Sequence, residues 1–187
     1  MAAGADVVRC PWGDDPAMTE YHDTEWGREL RGDAPLFERM SLEAFQSGLS
    51  WAIVLRKRDR FREVFAGFDP EAVARFGESD VLRLLDDAGI IRNRLKIEAT
   101  IANARSLLDL DESFSDLLWS FAPEPRPAPT SYADVPATTA ESVAMAKTLK
   151  KKGFRFVGPT TAYALMQATG MVDDHLADCI ARGAARR

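Results

Sequence analysis

Cysteine and histidine are scarce in this chain, with two of each in 187 residues. Two cysteines do not build a disulfide framework, which points to a reducing compartment and a cytoplasmic protein. No apolar run approaches the roughly 20 residues that a membrane span needs. The first residues, M-A-A-G-A-D-V-V, lack the basic start and apolar stretch of a secretory signal. Residues 1–8 are therefore expected to be a loosely ordered leader ahead of one domain over 9–187. A basic excess is also missing: 24 Lys and Arg face 29 Asp and Glu, for a net charge of −5. That balance argues against blanket adhesion to nucleic acid while leaving room for a local basic face. No run alternates apolar and polar residues in the manner of a strand.

What is present is helical spacing. Leu36, Met40 and the pair Glu43/Ala44 form one stripe, Ile97, Ile101, Ala104 and Leu108 a second, and Ala162, Leu165, Met166 and Thr169 a third. Asp69-Pro70 and Ser79-Asp80 read as helix starts, and Gly77, Gly89, Gly153 and Gly170 as stops. The segment A-P-E-P-R-P-A-P-T, 122–130, is too rich in proline for helix and reads as a loop inside the domain. With 46% hydrophobic residues the chain has material for a real core. The expected class is all-α, with eight to ten short helices.

The scarce residues are concentrated at the two ends. Cys10 and His22 form one pair; His175 and Cys179 form another, four residues apart. That spacing predicts one helical face and brings the second pair within reach of a single tetrahedral zinc. The alternative is two buried cysteines and two unrelated histidines, since the spacings match no standard finger. A zinc held by all four would be structural, stapling the N-terminal segment to a C-terminal helix. It would leave no open coordination position and no histidine as general base.

Three of the four tryptophans, Trp12, Trp26 and Trp51, lie in the first 51 residues, interleaved with Tyr21, Glu25 and Glu43. Glu43 falls on the first apolar stripe. It lines a pocket, or it sits at the stripe's polar margin with Ala44 facing the core. A carboxylate among aromatic faces suits a flat cationic ligand.

R-C-P-W-G, Y-H-D-T-E-W-G, L-E-A-F-Q-S-G-L-S-W-A-I-V-L-R-K-R, D-A-G-I-I-R-N-R-L-K-I, G-F-R-F-V-G-P-T-T-A-Y-A-L-M-Q-A-T-G and V-D-D-H together resemble the 3-methyladenine DNA glycosylase I family, over about residues 9–180. The resemblance implies the all-α helix-hairpin-helix glycosylase fold, a structural Zn2+ on Cys10, His22, His175 and Cys179, and alkylated double-stranded DNA as the substrate. It places Glu43 as the carboxylate that recognises the methylated base, Trp51 as its stacking partner, Tyr21 as a second pocket aromatic, and Trp12 and Trp26 as further walls. The implied reaction is hydrolytic excision of 3-methyladenine by a monomeric, monofunctional enzyme, which releases the free base and leaves an abasic site. A zinc-stapled module that binds DNA or methylated bases without catalysis is the alternative.

A glycosylase must flip its base out of the duplex and grip the backbone. L-K-K-K-G-F-R-F-V-G-P-T-T-A carries Lys150, Lys151, Lys152 and Arg155 ahead of a turn at Gly158, and Pro159 suits a helix start. Free N–H groups there, around Gly158 and Thr160, form a phosphate seat. The turn resembles that of a helix-hairpin-helix, with Phe156 in place of its first glycine. A second basic run, R-K-R-D-R-F-R over 56–62, is a phosphate contact or a solvated face. Gly48 and Leu49 are candidates for the plug that fills the gap left by the flipped base. Where many relatives read V-N-D-H this chain reads V-D-D-H, putting Asp173 at the place of the superfamily's catalytic aspartate. Its alternative role is a helix cap. Ala44 and Ser47 are two further departures, standing for a glycine and an alanine.

Overall fold

The structure, a computed structural model, describes residues 7–12 and 15–183. Among these residues are nine α-helices and no strand: α1 (Pro16–Thr24), α2 (Asp33–Gln46), α3 (Trp51–Val64), α4 (Pro70–Ala74), α5 (Glu78–Asp86), α6 (Arg94–Leu108), α7 (Phe114–Trp119), α8 (Ala140–Lys151) and α9 (Pro159–Ala168). The expected leader falls mostly outside them, on residues 1–6. Val7 and Val8 are exposed, and the Val8 carbonyl accepts the Ile180 N–H, joining the two chain ends.

Local chemistry sets most of the helix starts. Asp15 accepts the Met18 N–H ahead of Pro16, Asp69 accepts the Glu71 N–H ahead of Pro70, and Asn93 accepts the Lys96 N–H. One start differs from the sequence reading. Helix α5 begins at Glu78 with Gly77 as its cap, because the Asp80 carboxylate reaches back to the Gly77 N–H at 3.0 Å. Asp80 therefore stands inside the first turn and does not precede it.

Helix α2 occupies the middle of the fold, with α3, α6, α7 and α9 packed against it. Its buried side chains, Leu36, Phe37, Met40, Leu42, Ala44 and Phe45 among them, are spread round the whole circumference, as an interior helix requires. The α6 stripe ends on Leu107, with Leu108 exposed. The α9 stripe is buried as read, including Thr169, whose hydroxyl donates to the Leu165 carbonyl.

The C-terminal segment corrects an expectation. Residues 171–183 form turns, so His175 and Cys179 do not share a helical face. Gly170 ends α9 in the left-handed region (φ 76°), and a Cβ there would lie 2.7 Å from the Arg28 backbone carbon. Beyond it, the Asp173 carboxylate accepts the His175 N–H, and the Arg182 guanidinium donates to the Asp173 and His175 carbonyls. Side chains thus take the backbone groups that a helix would have paired.

Candidate functional site

A cavity of about 530 Å³ opens between α1, α2, α3 and α9. Its wall brings together five residues singled out from the sequence: Trp12, Tyr21, Trp26, Glu43 and Trp51. Met18, Gln46, Tyr132, Ala164 and Gln167 complete much of the lining. Tyr21 and Trp51 face one another with 5.3 Å between ring centroids, and Trp12 meets Trp26 edge-on at 5.0 Å. The indole N–H groups of Trp12 and Trp51 are buried with no acceptor among the described residues. Ala44 and Ser47 do not line the cavity.

Glu43 is 6% exposed and receives no hydrogen bond from the described residues. Burial pushes its carboxyl up to about 7, opposed by the nearby Arg39 guanidinium. Of the two readings open for this residue, the structure places it in the cavity wall. Arg39 is itself nearly buried. It donates to the Tyr21 hydroxyl at 2.8 Å and pairs with Glu25 at 3.2 Å, while Arg58 grips both Glu25 oxygens at 2.6 and 2.8 Å. This ladder of charge-assisted bonds holds the Tyr21 ring against α2 and α3. Sequence reasoning missed Arg39 because an arginine beside an apolar stripe looks like a surface residue. It also missed Gln167 and Asp174, for which the α9 stripe carried no signal.

The rings of the second cluster abut the same wall. Trp12 packs on His22 at 5.1 Å, and Trp26 on His175 at 4.6 Å. Ligand atoms of Cys10, His22 and Cys179 all lie within 4.8 Å of one another, with Cys179 Sγ 3.4 Å from His22 Nε2. His175 stands outside that triangle, its ring edge-on to His22 at 5.1 Å. Each histidine fixes its Nδ1 on a carboxylate, His22 on Asp23 at 2.7 Å and His175 on Asp173 at 2.9 Å, which directs Nε2 elsewhere. The His175 Nε2 is buried with no partner among the described residues. Burial, then the neighbouring Cys179, pushes the Cys10 thiol up to about 12. Two buried thiols beside two imidazole acceptors are a donor set that a soft, borderline cation would satisfy. Gly27, at φ 75°, makes room for this arrangement, since a Cβ there would sit 2.6 Å from His175 Cε1.

Asp173 does not line the 530 Å³ cavity. Its carboxylate accepts from the His175 N–H and the Gly183 N–H and holds His175 Nδ1. The neighbouring Asp174 is the one turned towards the cavity wall, taking hydrogen bonds from Tyr163, Arg126 and the cavity-lining Gln167. Arg126 lies in the proline-rich loop, which the Ala177 N–H also ties down at Pro129.

The two basic runs differ in character. On α3, Arg56 pairs with Asp15, Arg58 with Glu25, Arg60 with Asp87 and Glu63, and Arg62 with Glu38 and Asp59. That run is largely neutralised by its neighbours. At the α8–α9 turn, Lys150, Lys151 and Arg155 are exposed and have no acidic partner among the described residues, whereas Lys152 pairs with Glu112. Phe156 occupies the left-handed region at φ 56°, and Asn103 clamps the turn through the Arg155 N–H and carbonyl. Gly158 caps α9, and both it and Thr160 are exposed. Between the cavity-lining Gln46 and Ser50, Gly48 turns at φ 82° and Leu49 is exposed, while the buried Lys96 ammonium donates to the Phe45 and Ser47 carbonyls that end α2.

Residues 12–182 match the family model described as methyladenine glycosylase. The chain is 47% identical over 180 residues to DNA-3-methyladenine glycosylase 1 of Escherichia coli, covering 92% of this chain and 96% of that protein. It is 44% identical to the DNA-3-methyladenine glycosylase of Haemophilus influenzae, over 92% of this chain and 97% of that one. Among solved structures, a 3-methyladenine DNA glycosylase I superimposes with a TM-score of 0.90 at 46% identity, covering 92% of this chain and 98% of that one. The Staphylococcus aureus 3-methyladenine DNA glycosylase I, studied for its recognition of 3-methyladenine, does so at 0.86 and 34% identity, over 90% and 92% of the two chains.

Proposed function

The chain belongs to the methyladenine glycosylase family, and from that premise we propose that it flips 3-methyladenine out of alkylated double-stranded DNA and hydrolyses its N-glycosidic bond. The observation that carries this reading is Glu43, a buried carboxylate in an aromatic cavity with no donor among the described residues. A base methylated at N3 carries positive charge in the nucleotide and is already a good leaving group. An anionic, aromatic cavity prefers it to neutral adenine and has little protonation to supply.

In this mechanism Tyr21 and Trp51 stack on the base, Glu43 accepts from it, and Trp12 and Trp26 exclude water. Gly48 and Leu49 fill the gap in the duplex. The α8–α9 turn acts as a helix-hairpin-helix, its Gly158 and Thr160 N–H groups and Lys150, Lys151 and Arg155 holding phosphate. Water is the nucleophile and the product is an abasic site. Cys10, His22, His175 and Cys179 would hold a structural zinc, which would cross-link the two chain ends. Asp173 serves that site by orienting His175.

The test is incubation with methylated duplex DNA and identification of the released bases. Release of 3-methyladenine by the parent and its loss in Glu43→Gln support the reading. Binding of free 3-methyladenine without any excision would make the chain a recognition module instead.

A further inference from the structure

Gln167 lies on α9, where it lines the cavity together with Ala164, one turn away. Its side-chain amide has two faces, one a donor and the other an acceptor. The Nε2 group donates at 2.9 Å to Asp174, whose buried carboxylate also accepts from Tyr163 and from the Arg126 guanidinium. A carboxylate paired with a guanidinium is acceptor-only, so it can meet Gln167 only through the NH2 group. The Gln167 carbonyl oxygen is left as the free polar atom of a cavity-lining side chain, with no donor among the described residues.

We propose that Gln167 presents this oxygen to the exocyclic amine of the bound base, and that Asp174 is the positioning residue that sets the amide's orientation. This rests on the methyladenine reading of the cavity given above. An amine at C6 has two N–H groups, and Glu43 from α2 and Gln167 from α9 each present an acceptor to it from the cavity wall. A methylated guanine carries an oxygen at C6, which above pH 7, with Glu43 ionised, would face two acceptor oxygens with no proton between them. The pair therefore admits 3-methyladenine and rejects 3-methylguanine, since specificity arises as much from the repelled competitor as from the accepted ligand.

Binding of free 3-methyladenine and free 3-methylguanine, followed by quenching of tryptophan fluorescence, tests the proposal in the parent, Gln167→Leu, Asp174→Asn and Glu43→Gln. Gln167→Leu is expected to weaken 3-methyladenine binding about tenfold, the effect of one lost hydrogen bond, without weakening 3-methylguanine. An asparagine at 174 can donate to the Gln167 oxygen and turn the amide over, so Asp174→Asn is expected to shift the ratio further towards guanine. If Asp174→Asn does not fold, Gln167→Leu decides alone. A Gln167→Leu protein that keeps the parent's ratio of affinities, while Glu43→Gln loses 3-methyladenine, overturns this inference and leaves the cavity reading intact. A parent that binds neither base overturns the cavity reading itself.

Discussion

Trp26 packs edge-on against the imidazole of His175, with 4.6 Å between ring centroids and 75° between planes. Trp12 meets His22 in the same way at 5.1 Å. Two walls of the cavity therefore rest on rings of the Cys/His cluster, and whatever orders those rings also orders the walls.

Stripping metal should accordingly affect base binding as well as stability. The purified protein is expected to carry about one zinc per chain, measured by elemental analysis. Chelation, or Cys179→Ala, should lower the melting temperature by several degrees, change the tryptophan emission and weaken 3-methyladenine binding, although no ligand residue touches the base. Metal-free protein with the parent's melting temperature and affinity would end the staple reading.

Asp173 holds His175 Nδ1 at 2.9 Å. Asp173→Asn should reduce metal affinity by roughly 10–100-fold, the usual cost of losing an outer-shell partner. Single-turnover excision at saturating zinc should be unchanged. A large fall in that rate with the metal fully bound would place Asp173 in the chemistry instead.

The Glu43 carboxyl titrates at about 7 because it is buried, against 4.5 for the free side chain. The folded chain thus holds a proton in this range that the unfolded chain has released, and the group's contribution to stability declines as pH rises from about 4.5 through 7. Recognition runs the other way. The 3-methyladenine nucleotide is a fixed cation, so its excision should rise as Glu43 ionises through pH 7. Glu43→Gln should be more stable than the parent at pH 8, by roughly 1–3 kcal/mol, and lose the pH-dependent excision. Calorimetry and a pH–rate profile check the two signs.

The unequal basic runs lead to a salt test. Replacing Lys150 and Lys151 by Gln should weaken binding to any duplex and flatten the dependence of affinity on salt, by a slope change of about 1 to 2. Arg60→Gln, on the run whose charges are already paired, should leave that slope unchanged. Equal slope changes in the two variants would show that the α3 run also reaches phosphate.

Phe156 sits at φ 56°, a region costing a residue with a Cβ about 1–2 kcal/mol. Phe156→Gly removes that strain and should raise the melting temperature if the exposed ring contributes little packing. Thermal unfolding reads the outcome, and a drop in melting temperature would mean that the ring's contacts outweigh the backbone cost.

The helical class, the α9 stripe, the cap at Asp69 and the helix start at Pro159 could be read from local order, because spacing and capping act over three or four residues. The family motifs likewise carried Glu43, Tyr21 and the tryptophans to one place, and the cavity lining agrees. The α5 start lies beyond local reading because Asp80 bonds backwards to Gly77, a capping-box geometry that a single aspartate does not announce. Spacing alone predicts a helix for the His175/Cys179 pair. Arg182, seven residues beyond His175, takes the carbonyl that the helix needed.

By itself, the sequence determined that this chain is a helical protein with its Cys and His at the two ends and a carboxylate on an apolar stripe near aromatic residues. Only the tertiary structure decided that Asp173 serves His175 while Asp174 serves the cavity, and that the α3 arginines are spent on neighbours while Lys150 and Lys151 are not. The physical reason is distance along the chain. Gln167–Asp174 spans seven residues outside any repeat, Arg58–Glu25 spans 33 and His22–Cys179 spans 157. Which partner neutralises a charge depends on how helices pack, and no local period encodes it.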